Sequence, residues 1–294
     1  MRRKIFTVLF VLLFLAGFGI LAYPTISNQW NNYRQSRLIS NYKNITENID
    51  TEDFDREWEK AENYNASITV NQPVSGDVFS EGGQEDRDSE YWNVLNIAGD
   101  GMMGYISIPK INVELAIYHG TSDEVLQTGV GHIEGTKLPI GGESNHTVLA
   151  AHRGLPSARL FTDLDQLEEG DEFYIHILDE TLAYQVDQIL PMVDKDDTGA
   201  LSEALAIEDG QDYVTLFTCT PYGVNTHRLL VRGTRVEYHE EETVETPVDT
   251  AKNLLQDYYM FFLIGGVAVT AVAIGVIRMI MKRKRNREST GPKE

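Results

Sequence analysis

The sequence contains a single cysteine, Cys219, and is short of positive charge. One thiol forms neither an internal disulfide nor a paired-cysteine metal site. Only 25 lysines and arginines oppose 45 aspartates and glutamates, which gives a formal net charge of −20. Such a surface repels nucleic acid and other phosphate polymers, and the chain also lacks a glycine-rich phosphate-binding loop. Nucleotide- and nucleic-acid-binding functions are therefore disfavoured, and neither a metal nor another cofactor is expected.

Uncharged hydrophobic residues concentrate at the two ends of the chain. The first run, within residues 1–23, follows three basic residues and predicts either a membrane anchor or a long signal peptide. The second predicts a transmembrane helix over residues 258–281, followed by a basic tail, residues 282–294. Basic residues mark the cytoplasmic side of membrane segments. We therefore expect a cell-membrane protein with its middle part extracellular, and with both termini cytoplasmic if the first segment is retained.

Polar stretches join these ends to the middle of the chain. Residues 24–90 begin with apolar residues at helical spacing, and Asp50 before Thr51 predicts the start of a second helix. The later part, residues 71–90, is rich in Gly, Ser, Asp and Glu and is predicted to form a loop. An acidic linker, residues 240–257, leads to the second hydrophobic run.

Short alternating segments dominate residues 91–239. Phe173, Ile175 and Ile177 are an example, and β-branched and aromatic residues are frequent throughout. Seven or eight such segments are separated by turn residues, with short helical pieces within 160–167 and 198–207. The pattern predicts a mainly β fold, either an all-β barrel or a sandwich, with one hydrophobic core.

The solitary thiol ends the apolar segment TLFTC, and Arg228 begins the next apolar segment. Pro221 and Gly223 lie between them and break the strand. A strand, a short loop and a returning strand would place the thiol and the guanidinium on adjacent strands. A permanent cation there stabilises a thiolate or a developing oxyanion. The alternatives are a buried structural cysteine and a solvated strand arginine.

A cysteine nucleophile normally works with an imidazole, and the sequence has seven histidines. His152 ranks first because it ends the apolar segment TVLAAH and begins a loop. His132 and His146 are interpreted as structural or peripheral. His227 precedes Arg228 on the same strand and is expected to point to the opposite face.

Several segments together resemble the sortases, membrane-bound cysteine transpeptidases of Gram-positive surfaces. TLFTC, with an arginine nine residues after its cysteine, resembles the sortase signature, and GYISIPKINVELAIYHGT, GVGHIEGTKLPIGG and AAHRGLPSARLFTDLDQLEEGDEF resemble class C, pilin-polymerising sortases. The resemblance covers residues 91–239 and implies a closed sortase-type barrel of about eight strands. It further implies Cys219 as nucleophile, His152 as general acid and base, and Arg228 as oxyanion-stabilising residue. Thr218 is a candidate for contact with substrate.

Class C sortases also carry a lid loop with an Asp-Pro-aromatic motif over the active site. GDVFS places Asp77 and Phe79 in the matching positions. By this resemblance Asp77 pairs with Arg228, and Phe79 covers Cys219. Val78 stands where the family has proline, which removes a fixed backbone angle. The alternative is an ordinary loop with one exposed phenylalanine.

The resemblance implies cleavage of a Leu-Pro-x-Thr-Gly-like sorting signal between Thr and Gly, and transfer of the fragment to a lysine amine of a pilin. The implied partners are pilin subunits bearing sorting signals and the cell membrane. One alternative is a housekeeping sortase that uses a peptidoglycan precursor, and another is a cysteine peptidase in which water replaces the amine. A non-catalytic surface adhesin is a third, which the presence of Cys219, His152 and Arg228 together disfavours.

Overall fold

The structure is a computed structural model that describes residues 2–68, 77–79 and 89–239 and the single positions Gly265, Gly275 and Arg278. The chain divides into two compact units, Met1–His239 and Glu240–Glu294. Apart from those three positions, the predicted acidic linker, C-terminal transmembrane helix and basic tail lie outside the described residues.

Two helices precede the β-structure. Helix α1, Arg2–Asn48, continues through Pro24, so the first hydrophobic run and the polar stretch after it form one helix. Helix α2, Thr51–Ser67, begins where the sequence predicts, and the Asp50 side chain accepts a hydrogen bond from the Glu52 amide. Over the part of the chain that is described, no helix has both the length and the apolar character that crossing a membrane requires.

Eight strands follow: β1 Met102–Ile108, β2 Val113–His119, β3 Val130–His132, β4 Asn145–Ala150, β5 Glu172–Ile177, β6 Glu180–Asp194, β7 Asp212–Thr220 and β8 His227–Val236. They close into a barrel in the order β1-β2-β3-β4-β7-β8-β6-β5, which confirms the predicted barrel. The pairs β2–β3 and β4–β7 are parallel, and the remaining pairs are antiparallel. The connections contain helices α3 Asp123–Thr128 and α4 Thr198–Ala204 and 3-10 turns at Tyr91–Asn93, Pro109–Ile111 and Leu164–Gln166.

The predicted alternating segments correspond to every strand except β3. That strand has only three residues in a glycine-rich stretch, too few for alternation to be recognised. Helix α3 was also missed, because its six residues give little helical periodicity. The two predicted helical pieces are confirmed as a 3-10 turn and helix α4.

Alternation along β7 and β8 divides their side chains between two hydrophobic clusters. Leu216 and Val231 belong to the main core, whereas Phe217 and Leu230 belong to a second cluster that packs against Phe79. Neighbouring residues of a strand point to opposite faces of the sheet. One face of this strand pair therefore fills the barrel, and the other face lies against the segment that contains Phe79.

Helix α1 is fastened to the barrel by buried polar side chains. The Tyr42 hydroxyl donates to the Met103 carbonyl at 2.7 Å and accepts from the Leu178 amide at 2.9 Å. The Gln35 side-chain oxygen accepts from the Ala116 amide at 2.9 Å. Since buried backbone groups are costly to leave unpaired, these contacts fix the helix to the outside of the barrel.

Tyr42→Phe should lower the free energy of unfolding by about 1–3 kcal/mol, because it leaves a buried carbonyl and a buried amide without their partner. Urea unfolding of the full chain, followed by tryptophan fluorescence, measures the change. Tyr33→Phe is the matched control, since this tyrosine of the same helix is 55% exposed. Equal unfolding midpoints for the two variants would contradict the fastening role of Tyr42.

Candidate active site

The pairing of β7 with β8 places the lone thiol beside an arginine. In this antiparallel pair Cys219 lies opposite Arg228. Both residues are buried, with 4% and 2% of their surfaces exposed. The two groups therefore lie on adjacent strands, the arrangement that the strand–loop–strand pattern predicts.

The surroundings of Cys219 favour the protonated thiol. Burial raises its pKa to about 11, the nearby Arg228 cation acts in the opposite direction, and the Asp77 carboxylate raises the pKa further. A thiol reacts as nucleophile only after it loses its proton. In this arrangement Cys219 is therefore nearly all unreactive thiol near neutral pH.

The guanidinium of Arg228 is held by a carboxylate and two backbone carbonyls. Its Nε donates to Asp77 Oδ1 at 2.9 Å, and its Nη2 donates to Asp77 Oδ2. Nη1 donates to the carbonyl oxygens of Asn225, at 3.0 Å, and His227, at 2.7 Å. A buried charge requires such partners. All three nitrogens of Arg228 are thus engaged, two of them by Asp77.

The Phe79 ring lies among the side chains that the sequence singles out. It stacks on Phe217, with ring centroids 5.8 Å apart and planes 3° from parallel. Its centroid is 5.3 Å from the His152 ring centroid and 5.3 Å from Arg228 Cζ. Phe217 and Cys219 are two residues apart on β7 and share a face. The segment 77–79 therefore covers the face of the barrel that carries the thiol.

His152 lies where the chain leaves the barrel after β4. The Phe161 amide donates to its carbonyl oxygen at 3.2 Å. Burial lowers the pKa of His152, and the Asp123 carboxylate acts in the opposite direction. Its imidazole and the guanidinium of Arg228 are both brought against the ring of Phe79.

Thr218 has a backbone partner. Its hydroxyl donates to the carbonyl of Ala151 at 2.7 Å, and the residue is fully buried. Alternation places it on the same face of β7 as Leu216, toward the barrel interior and away from Cys219. Its hydroxyl thus ties β7 to the residue before His152, and contact of Thr218 with substrate stays a prediction.

The contacts of His132 and His146 fit their interpretation as structural residues. Nδ1 of His132 lies 2.8 Å from the Tyr91 hydroxyl, and burial lowers the pKa of His132 to about 4. Nδ1 of His146 lies 2.7 Å from the Ala206 carbonyl oxygen, and burial lowers its pKa too. Across the described ranges, no three His, Cys, Asp or Glu side chains group closely enough to hold a metal ion.

Sequence reasoning missed two residues around the site. Phe217, on which Phe79 stacks, lies two positions before Cys219, so strand alternation alone would have placed it on the thiol's face. Arg153 donates a hydrogen bond to Thr220 at 3.2 Å, and only its position next to the histidine singles it out in the sequence.

A thiol, an imidazole and a guanidinium collected at the end of a closed barrel suit one reaction class. A thiol can act as nucleophile, an imidazole can move protons, and a guanidinium can stabilise negative charge that develops on a carbonyl oxygen. Together they define a candidate site for acyl transfer through a thioester.

Comparison with known proteins agrees with this class. The sortase domain family matches residues 106–236. The crystal structure of sortase C-1 from Streptococcus pneumoniae is 46% identical, with a TM-score of 0.63, covering 69% of this chain and 100% of that one. A pilus-related sortase C of Group B Streptococcus is 43% identical, with a TM-score of 0.60, and the match covers 67% of this chain and 96% of that one. Sortase D of Bacillus subtilis is 32% identical over 136 residues, 45% of this chain and 63% of that relative's length.

The chain therefore belongs to the sortase family of cysteine transpeptidases. Its barrel is the sortase-type barrel that the motifs imply. The two solved structures compared above are both sortases C.

Asp77→Ala should raise the alkylation rate of Cys219 by iodoacetamide about tenfold near neutral pH for each unit by which the thiol pKa falls. The pKa is expected to fall because the substitution removes a nearby negative charge and frees the Arg228 cation to act on the thiol. Phe79→Ala should raise the rate as well, by uncovering the face. Since the chain has one cysteine, the labelling reports on this thiol alone.

Asp187→Ala is the matched control. Asp187 accepts hydrogen bonds of 3.1 and 2.9 Å from Arg232, which lies on β8 like Arg228. It removes an equivalent ion pair from β8 at a different arginine. If Cys219 is alkylated as fast in this control as in Asp77→Ala, the faster alkylation comes from general loosening of the barrel. That result would contradict the role of residues 77–79 as a cover over the thiol.

Proposed function

We propose that this chain is a membrane-anchored sortase that cleaves a Leu-Pro-x-Thr-Gly-like sorting signal between Thr and Gly and joins it to a pilin lysine. The observation that carries the proposal is the pairing of Cys219 with Arg228, under a segment whose Phe79 also contacts His152. Nucleophile, base and oxyanion-stabilising group are then supplied by one small region.

In the first half of the proposed reaction, the thiol proton of Cys219 passes to His152 as the sulfur attacks the threonine carbonyl carbon. Arg228 stabilises the negative charge on the carbonyl oxygen. The carbon–nitrogen bond then breaks, and His152 gives its proton to the leaving glycine amine. The product is a thioester between Cys219 and the threonine.

In the second half, the neutral lysine amine attacks the thioester carbon, and His152 accepts the amine proton. The carbon–sulfur bond breaks, the proton returns to the Cys219 sulfur, and an isopeptide bond remains. Before either step, Asp77 must leave Arg228, since in the closed arrangement its carboxylate occupies two of the guanidinium nitrogens.

The choice of a pilin acceptor is supported by the solved structures of sortases C, one of them described as pilus-related. It is also supported by the segment Asp77 to Phe79: Asp77 binds Arg228, as the class C resemblance implies, and the Phe79 ring lies against His152. A housekeeping sortase would instead pass the thioester to a peptidoglycan precursor, and a peptidase would pass it to water.

The proposed location is the cell membrane, with the catalytic domain, residues 91–239, extracellular and both termini cytoplasmic if the first segment is retained. The hydrophobic runs and their basic flanks support this location. Large apolar side chains of α1 are also open to their surroundings: Leu13 is 65%, Ile20 is 74% and Leu21 is 72% exposed. Exposed apolar surface of this kind favours contact with lipid. Anchoring would raise the effective concentration of membrane-held substrates.

Incubation of the full chain in detergent micelles with a sorting-signal peptide should yield a thioester adduct on Cys219, detected by mass spectrometry after acid quenching. Cys219→Ala should form no adduct and no transfer product, because no other thiol exists in the chain. Transfer that continues in this variant would overturn the proposed nucleophile.

The reaction products distinguish among the three possible acceptors of the cleaved fragment. With pilin subunits present, an isopeptide between two pilins is expected, and excess pilin should divert the fragment away from hydrolysis. An adduct formed only with a peptidoglycan precursor would make the protein a housekeeping sortase. Hydrolysis that no amine diverts would make it a peptidase.

A further inference from the structure

Arg153, which directly follows His152, connects the histidine segment to the cysteine strand. Its side chain is only 8% exposed. Nη1 donates to the Thr220 hydroxyl oxygen at 3.2 Å, Nε donates to the Thr162 carbonyl at 3.2 Å, and Nη2 donates to Asp165. The guanidinium of Arg153 thus binds Thr220, the residue next to Cys219, and also Thr162 and Asp165, which follow His152 in the chain.

The loop after His152 is also closed on itself. The Phe161 amide donates to the His152 carbonyl at 3.2 Å, and the Gly154 amide donates to the Thr162 hydroxyl at 3.1 Å. These bonds bring the two ends of the loop together. Residues 152–162 are therefore expected to move as a unit, and the position of that unit sets the position of the imidazole.

The ladder between β4 and β7 ends just before this loop. The Ala151 amide donates to the Phe217 carbonyl at 3.2 Å, and His152 comes one residue later. From that point, the Arg153 bond to Thr220 continues the connection between the two chain segments. Arginine suits this task because its planar group donates in several fixed directions at once.

We propose that Arg153 is a positioning residue that sets the distance between the His152 imidazole and the Cys219 thiol. Asp165 holds the guanidinium, and the guanidinium fastens the closed loop to Thr220 at the end of β7. The inference rests on the proposed transpeptidation, in which His152 exchanges a proton with the sulfur and the amines. Arg153 itself contacts no reacting atom.

Thr220→Val tests the link from the strand side, because it removes the hydroxyl and nearly preserves the shape of the side chain. It should lower kcat for thioester formation by about 10- to 100-fold, because a displacement of a catalytic group by about 1 Å can cost up to about 100-fold, and KM should change little. Arg153→Lys should act in the same direction, because lysine keeps the charge but loses the fork. Thr220→Ser, which keeps the hydroxyl, should restore most of the rate.

The pH dependence separates positioning from general damage. If the imidazole no longer takes the thiol proton efficiently, thioester formation should require a higher pH, and the alkaline shift should appear in both Thr220→Val and Arg153→Lys. Arg159→Ala is the matched control: it lies in the same loop, is 63% exposed and pairs with Asp163 at the surface. An exposed pair of this kind contributes little to stability, so kcat and the pH profile should stay as in wild type.

The experiment uses the full chain, with thermal unfolding recorded for every variant. Wild-type protein that forms no thioester would count against the proposed function itself. If wild type reacts, wild-type kcat and pH profile in Thr220→Val would overturn the positioning role alone. Loss of rate without the alkaline shift, or equal loss in Thr220→Ser, would likewise overturn it, because a merely structural contact predicts that result.

Discussion

A guanidinium that is removed from water requires hydrogen-bond partners. Arg228, on the strand paired with that of the thiol, is only 2% exposed. In the closed arrangement, Asp77 and two backbone carbonyls supply those partners. In the proposed reaction, the developing oxyanion takes the place of the carboxylate. The Arg228 guanidinium would then bind the Asp77 carboxylate and the oxyanion in turn. The site could therefore not be covered by residues 77–79 and catalyse the reaction at the same time. The same pair bears on Cys219, because Asp77 opposes the effect of Arg228 on the thiol pKa.

The closed barrel holds the site residues in place while one anion on Arg228 replaces the other. Cys219 and Arg228 come from paired strands, and His152 leaves the neighbouring strand β4, which is parallel to β7. Three chemically different groups therefore converge without any one loop having to carry them all. Loops supply the remaining components, the cover from residues 77–79 and the fastening of the histidine segment by Arg153.

Much of this fold was readable from the sequence, because burial of one strand face imposes a period of two, which six residues are enough to show in β5. Strand β3, with three residues, and helix α3, with fewer than two helical turns, are too short to show a period and were not predicted. The signature made Thr218 a candidate for contact with substrate, but its side chain lies on the opposite face of β7 from Cys219 and donates to the Ala151 carbonyl. Contacts made by long side chains across the fold, such as Arg153 with Thr220, leave no local pattern and became visible only in three dimensions.

The contact between Asp77 and Arg228 was expected from the class C resemblance, and no composition or spacing in the loop would have predicted it. Hydrogen–deuterium exchange over residues 77–79, before and after a sorting-signal analogue acylates Cys219, tests the exchange of anions most directly. The Phe79 amide, which donates to Asp77 Oδ1 at 3.4 Å, should exchange faster in the acylated protein, while β7 and β8 keep their protection. Equal exchange of that amide in both states would indicate that the segment 77–79 keeps its position after acylation and would contradict the account.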